Sequence, residues 1–403
     1  MLQRIQKMDF MIVAVLIMLM LISVSSIYSV TIGTDLEGHH MKMLIYYIVG
    51  FLAFFCMSLL DFRLLIKYAR YIYLAGLALL VFVMFFGADI NGSKGWIKFG
   101  TSLSLQPAEM FKLVLIIFLT YILIRKNKPQ LSFIRDVIPV GLLAFLPFVL
   151  VMGINDLGNA LSYVVILVGL LWIGNLKFLH ALIGLVLVAA VVLGGSQAYI
   201  HYHDQIKEYL GNGSRAHWMS RLDPWLVPDK ATTDAIYHTK NAKLAIASGG
   251  LSGEGFMQGT SVQSDRVPYT YSDSIFAQIA EEFGFVGSSI LLLLYFVLIH
   301  RMILIALECR DRAGPLLIVG MVAMFLYQIF ENIGMFIGLM PLTGITLPFI
   351  SFGGTSLVIN MASLGVVMSV KFYGQEIDDD LLEPNSFKVV AKVNQARNIS
   401  DYH

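Results

Sequence analysis

Apolar runs broken by short polar stretches fill most of this chain. A helix needs roughly 20 apolar residues to cross a bilayer. Ten segments meet that demand: 9–31, 42–60, 68–87, 107–125, 136–153, 157–174, 177–195, 276–306, 314–339 and 355–373. Only Asn175-Leu176-Lys177 divides the sixth from the seventh, which predicts a tight hairpin. The stretch 276–306 is longer than a span requires, so it is expected to tilt or to project from the bilayer. The pattern predicts an all-α polytopic membrane protein, with residues 1–373 forming a single ten-helix domain.

The polar breaks are not alike. Arg4 and Lys7; Arg63, Lys67 and Arg70; Arg125, Lys126, Lys128 and Arg135; Lys177; and Arg301, Arg310 and Arg312 all fall on one side of the predicted bundle. On the other side the short loops 32–41, 154–156 and 340–354 carry no Lys or Arg, and 88–106 carries only Lys94 and Lys98. The excess of basic residues in cytoplasmic loops then places both termini in the cytoplasm. The first apolar run is too long for a signal-peptide core and no small-x-small cleavage site follows it, so it reads as a retained span. Residues 196–275 form the one large extracellular loop, too long for a plain connector. Residues 374–403 read as a flexible cytoplasmic tail.

Composition agrees with the pattern. The chain is 57% hydrophobic and 14% charged, with a mean hydropathy of +0.75, which a soluble domain could not carry without exposing apolar surface everywhere. A net charge of +1 gives no case for a nucleic-acid partner. Cys56 and Cys309 lie in or beside apolar runs and read as small core residues rather than a disulfide. No zinc-type spacing occurs. His201 and His203, two apart in a polar loop, read as solvated rather than as metal ligands. No internal repeat of the kind common in transporters is evident.

Several polar groups sit where polarity is costly. Asp273, in Val267-Pro268-Tyr269-Thr270-Tyr271-Ser272-Asp273-Ser274-Ile275-Phe276, stands at the mouth of a predicted span. It can be a helix N-cap, a general base with a pKa lifted by its half-apolar setting, or both. Glu109 and Lys112, in Gln106-Pro107-Ala108-Glu109-Met110-Phe111-Lys112, share one helix face and can pair. They form either a buried structural pair or the polar floor of a cavity. Asp156, in Asn155-Asp156-Leu157-Gly158-Asn159, is placed to cap a helix. Ser248-Gly249-Gly250-Leu251-Ser252-Gly253-Glu254-Gly255 lacks the Lys of a phosphate-binding loop and predicts a tight turn of close approach. Pro341 through Ser356, with two prolines and three glycines, predicts a re-entrant, cavity-lining segment before the last helix. Glu331 falls inside the ninth span and must face the bundle interior or a partner.

Together these segments resemble the SEDS family of cell-wall proteins, named for shape, elongation, division and sporulation. The resemblance runs from the first span to about Tyr373. Gln106 through Lys112 resembles the family's QPSE-x-x-K block. Val267 through Gly287, with Asp273-Ser274-Ile275-Phe276 and Glu281-Glu282-Phe283-Gly284, resembles its block around DFIF and EE-x-G. Asn332-Ile333-Gly334-Met335 through Ser356 resembles NIGM followed by GLLPVTGIPLPF and SYGGSS. The elongation, rod-shape branch looks closer than the division branch. The departures lie in Ile154-Asn155 for Gln-Pro, in Ile236-Tyr237-His238 and Asn241-Ala242 before the glycines, in Ala108 for Ser and in Phe352 for Tyr.

The resemblance implies a peptidoglycan glycosyltransferase that polymerises lipid II at the outer face of the cytoplasmic membrane of a bacterium during cell elongation. Carried over, Asp273 is the catalytic aspartate. Glu109, Lys112, Asp156, Arg221, Ser248, Gly249, Gly250, Ser351, Gly353 and Gly354 are candidates for substrate binding. A divalent cation, Mg or Mn, is a candidate cofactor without a protein metal site evident in the sequence, and no organic cofactor is implied. The implied partners are a class B penicillin-binding protein, a transpeptidase, and other elongation-machinery membrane proteins. Two other readings remain open: a flippase or transporter of the lipid-linked precursor, and a non-enzymatic scaffold for the transpeptidase.

Overall fold

The computed structural model describes residues 8–90, 93–99, 103–126, 128, 130–210 and 216–375. Arg4, Lys7, Arg215 and nearly all of the predicted tail lie outside them. The helices are α1 (Phe10–Thr31), α2 (His39–Leu59), α3 (Phe62–Lys67), α4 (Ala69–Phe86), α5 (Pro107–Lys126), α6 (Ile138–Gly153), α7 (Leu157–Ile173), α8 (Phe178–His201), α9 (His203–Leu210), α10 (Ala216–Leu226), α11 (Thr233–Ser248), α12 (Thr260–Gln263), α13 (Ile275–Glu308), α14 (Ala313–Ile337) and α15 (Gly354–Tyr373). Among the described residues nine helical segments are long and apolar enough to cross a membrane, and α7 is a shorter tenth. All ten predicted spans therefore have a helix.

Burial separates the spans into centre and periphery. The most enclosed are α5, α14 and α15, with 72–78% of their spanning windows buried. Two of them bury polar groups along with their apolar residues, Glu109 and Lys112 on α5 and Gln328, Glu331 and Asn332 on α14, as interior spans do. By contrast α8 buries none of its residues, leaving its apolar surface to lipid. Cys309 is partly buried, but Cys56 is exposed on α2 and both thiols are free, so Cys56 is not the small core residue expected. Asp9 caps α1, and its carboxylate also accepts from Arg301 (2.5 Å) and Lys371 (2.8 Å), tying α1, α13 and α15 at one end.

Three departures from the expected layout bear on function. Between α4 and α5 lies a small antiparallel sheet, β1 (Ala88–Ile90), β2 (Ser93–Phe99) and β3 (Leu103–Leu105), with Lys98 opposite Ser104. Its short strands are hidden beside far stronger helical signals. The 196–275 loop is largely helical: α8 runs on to His201 and α9 to α12 follow.

The third departure is in α13, 34 residues long and broken at Gly284 (φ 65, ψ −159). A break frees backbone groups that a membrane helix cannot leave unpaired. The glycine stretch supplies the partners: Glu254 and Gly255 N–H donate to Glu281 and Glu282 C=O, and Phe285 and Val286 N–H donate to Gly250 and Leu251 C=O. Only glycine fits such an approach, since a Cβ at Gly249 would stand 1.9 Å from the Ala280 carbonyl oxygen.

Candidate active site

The Asp273 loop is held from three directions. Ser272 and Ser274 N–H close back on Tyr269 C=O. Ser274 Oγ donates to Pro268 C=O (2.8 Å) and lies 3.1 Å from His238 Nε2. His238 Nε2 also faces the Pro268 carbonyl (3.3 Å), an acceptor only, so that nitrogen carries the proton. Burial lowers the His238 pKa and keeps the ring neutral. From α14, Asn332 Nδ2 donates to both Asp273 C=O and Ile345 C=O, each at 2.8 Å. Ser351 Oγ donates to Ser272 C=O (2.7 Å) and accepts from Leu347 N–H. The re-entrant segment and the Asp273 loop are thus stitched together through their backbones.

The cap position of α13 is Ser274, without a side-chain cap bond. The Asp273 carboxylate is therefore left for the cavity it lines, of about 180 Å³, together with Glu109, Asp156, Arg221 and Gly353. Burial pushes the Asp273 carboxyl up to about 7, against the pull of the nearby Arg221 guanidinium. Asp156 is both cap and cavity wall. Its Oδ1 accepts from Asn159 N–H (3.1 Å), and its Oδ2 from Gln106 Nε2 (2.7 Å) and Asn159 Nδ2 (3.0 Å). Burial raises its pKa too, with the Asn159 bonds opposing. Arg221 donates to Thr343 C=O at 2.9 Å, and its charge acts on both aspartates.

The other expected residues take different places. Lys112 does not line the cavity; it is wholly buried and pairs with Glu109 Oε2 at 2.6 Å. Gly354 lies instead in an adjoining apolar groove of about 690 Å³, which shares Trp96, Phe352, Gly353 and Thr355 with the polar cavity. Ser351 acts behind the wall. Ser248, Gly249 and Gly250, expected at the substrate, are not brought to the cavity: they splice the broken helix described above. His203 is not solvated as expected but buried against Asp223 (3.1 Å). Glu331 is fully buried in the bundle interior, beside Thr343.

Sequence reasoning passed over Ser93 and Trp96 of β2, and Gln106, Asn155 and Asn159, all in the lining, whereas Thr343 and Thr346 line it as expected of the 341–356 segment. Gln106 and Asn159 flank residues already singled out and could have been found there. Ser93 and Trp96 come to the cavity only through the strand pairing.

A helical bundle with a carboxylate- and arginine-lined cavity that shares a wall with an apolar groove defines a polytopic membrane protein. The chain belongs to the FtsW, RodA and SpoVE family of cell cycle proteins, whose profile matches residues 4–376. It is 30% identical over 379 residues to stage V sporulation protein E of Bacillus subtilis, spanning 91% of this chain and 98% of that protein. It is 34% identical over 331 residues to peptidoglycan glycosyltransferase MrdB of Escherichia coli, spanning 80% and 82%. Among solved structures, a chain of a peptidoglycan synthase complex described as coordinating polymerization and crosslinking superposes with a TM-score of 0.73 at 27% identity, covering 90% of this chain and 97% of that one. A mutant of the rod shape determining protein RodA of Thermus thermophilus gives 0.66 at 26% identity, covering 91% and 98%.

Proposed function

We propose that this protein is a peptidoglycan glycosyltransferase that polymerises lipid II, with Asp273 as the general base. The observation that carries the reading is the Asp273 carboxylate, freed from capping duty, with a pKa near 7, in a cavity that shares a wall with an apolar groove. Relatives named peptidoglycan glycosyltransferase support the activity. The acceptor hydroxyl loses its proton to Asp273 as its oxygen attacks the anomeric carbon of the donor. The bond from that carbon to the pyrophosphate breaks, and undecaprenyl diphosphate leaves. A base with a pKa near the working pH combines availability with proton affinity. By analogy with inverting glycosidases, no covalent sugar–enzyme intermediate is needed.

Arg221 is placed to meet the leaving pyrophosphate, and the groove beside Tyr46, Val358 and Ile359 to take its lipid tail. Lys112 acts indirectly, by fixing the position of Glu109 in the wall through their 2.6 Å pair. Asp156 offers a hard oxygen donor that fits Mg or Mn, leaving Asp273 free as the base. Since no group of three or more His, Cys, Asp or Glu side chains converges among the described residues, such an ion would be shared with substrate phosphate. It would supply charge neutralisation at the leaving group.

The basic-residue asymmetry supports cytoplasmic termini, which puts the cavity at the outer face. Similarity to RodA supports a role in elongation, and the synthase complex supports pairing with a class B penicillin-binding protein. The test is lipid II polymerisation by the purified protein with its co-expressed transpeptidase. Wild type is expected to make glycan strands, and Asp273→Asn to lose about 10²–10⁴-fold in rate while still folding and binding its partner. Equal rates would remove Asp273 from the mechanism. No strands from either would point to transport or scaffolding.

A further inference from the structure

Arg221 enters the cavity from α10, and α10 is held on its two sides by different parts of the molecule. On the cavity side, Trp218 Nε1 donates to Asn155 Oδ1 at 3.1 Å and Arg221 Nη1 donates to Thr343 C=O at 2.9 Å. Residues two apart on a helix point roughly 200° from one another, so Asp223 leaves the face opposite Arg221. Its buried carboxylate Oδ1 accepts from Tyr199 Oη at 2.5 Å and faces His203 Nε2 at 3.1 Å. His203 is itself buried; its Nδ1 lies 3.4 Å from Asp204 Oδ1, which also accepts from Lys230 Nζ at 2.8 Å.

Tyr199 belongs to α8, which buries no residue of its own. The polar anchor at Asp223 adds to the burial of Met219 in fixing α10. A buried carboxylate with two hydrogen-bond partners resists displacement, because moving it leaves charge and donors unpaired.

We propose that Asp223 is a positioning residue. Anchored by Tyr199 and His203, it sets the rotation of α10 and so holds Arg221 between Asp156 and Asp273. Displacing a charge-stabilising group by about 1 Å can cost on the order of 100-fold in rate, so an anchor outside the cavity can govern the chemistry within it. The proposal rests on the glycosyl-transfer reading given above.

The test uses the full-length protein with its co-expressed transpeptidase. Asp223→Ala and Asp223→Asn are introduced into wild type and into Arg221→Ala. Initial polymerisation rates are measured against lipid II concentration, and hydrogen exchange is followed across 216–226. Asp223→Ala is expected to lower kcat/KM about tenfold in wild type but less than about twofold without Arg221. Asp223→Asn, whose amide oxygen still accepts both bonds, is expected to stay within about threefold of wild type. Exchange across 216–226 should quicken in Asp223→Ala and not in Asp223→Asn.

The same factor in both backgrounds, or equal losses in Asn and Ala variants, would overturn the coupling to Arg221. Should Arg221→Ala leave no measurable rate, Arg221→Lys serves as the background, since an ammonium lacks the planar fork of the guanidinium. If wild type makes no strands, the glycosyl-transfer reading fails on its own. The exchange data then judge the anchor separately, and unchanged exchange in Asp223→Ala would overturn it.

Discussion

Asp273 sits beside a helix start, where an aspartate most often serves as a cap, yet Ser274 holds the cap position and the carboxylate is spent elsewhere. Its raised pKa has two signed consequences. As a base it must be ionised, so polymerisation is expected to rise with pH through about 7. Arg221→Ala removes an opposing charge and should move that limb to higher pH, as read from kcat/KM profiles. For stability, the folded value lies above the ordinary 3.8, so the folded state binds the extra proton and loses stability as pH rises from about 4 through 7. Asp273→Asn should therefore melt above wild type at pH 8, and the difference should close toward pH 4. Asn332 is the second decisive residue, because one amide serves two carbonyls, that of Ile345 buried and that of Asp273 partly so. Asn332→Ala is expected to cost about 2–6 kcal/mol, at about 1–3 kcal/mol for each of the two carbonyls left unpaired. Denaturant midpoints and kcat should fall together.

At the scale of the element, the glycine stretch before Gly255 behaves as an insert in a broken helix rather than as a ligand loop. Gly249→Ala drives a methyl into the Ala280 carbonyl, a clash with backbone that only a shift of α11 or α13 can relieve. The expected outcome is a marked drop in Tm, with KM for lipid II unchanged in the protein that still folds. A raised KM at unchanged Tm would return these glycines to the substrate. On α5, Glu109 and Lys112 form one buried pair. Lys112→Met strands a carboxylate and should cost roughly 3–5 kcal/mol, while adding Glu109→Gln should recover much of it; chemical denaturation of the three variants reads the difference.

At the scale of the whole molecule, the polar cavity and the apolar groove share a wall but have opposite chemistry. Binding of a lipid-linked donor is expected to divide the same way. Each methylene buried in the groove contributes about 0.8 kcal/mol, so shortening the prenyl tail should raise KM before it lowers kcat. Val358→Trp, which fills the groove, should raise KM for the long-tailed donor and leave a short-tailed analogue nearly unaffected. Loss of kcat alone would place the tail elsewhere.

The sequence by itself determined the ten helices, because a bilayer imposes a length and a polarity that can be counted residue by residue. It also exposed Asp273, Asp156 and Glu109, because a charge beside an apolar run stands out from its neighbours. Only the tertiary structure decided what each does. Ser248, Gly249 and Gly250 serve a break in a helix that begins some 25 residues later in the chain, and Trp96 reaches the cavity on a seven-residue strand whose start, Ser93-Lys94-Gly95, carries no apolar alternation. Lys112 faces inward and Gly353 faces the cavity, although both lie in equally prominent motifs. Spacing along one chain fixes which residues share a face, but which face meets a cavity depends on the packing of segments distant in sequence. Asp273, Ile345 and Asn332 meet only when the fold is complete.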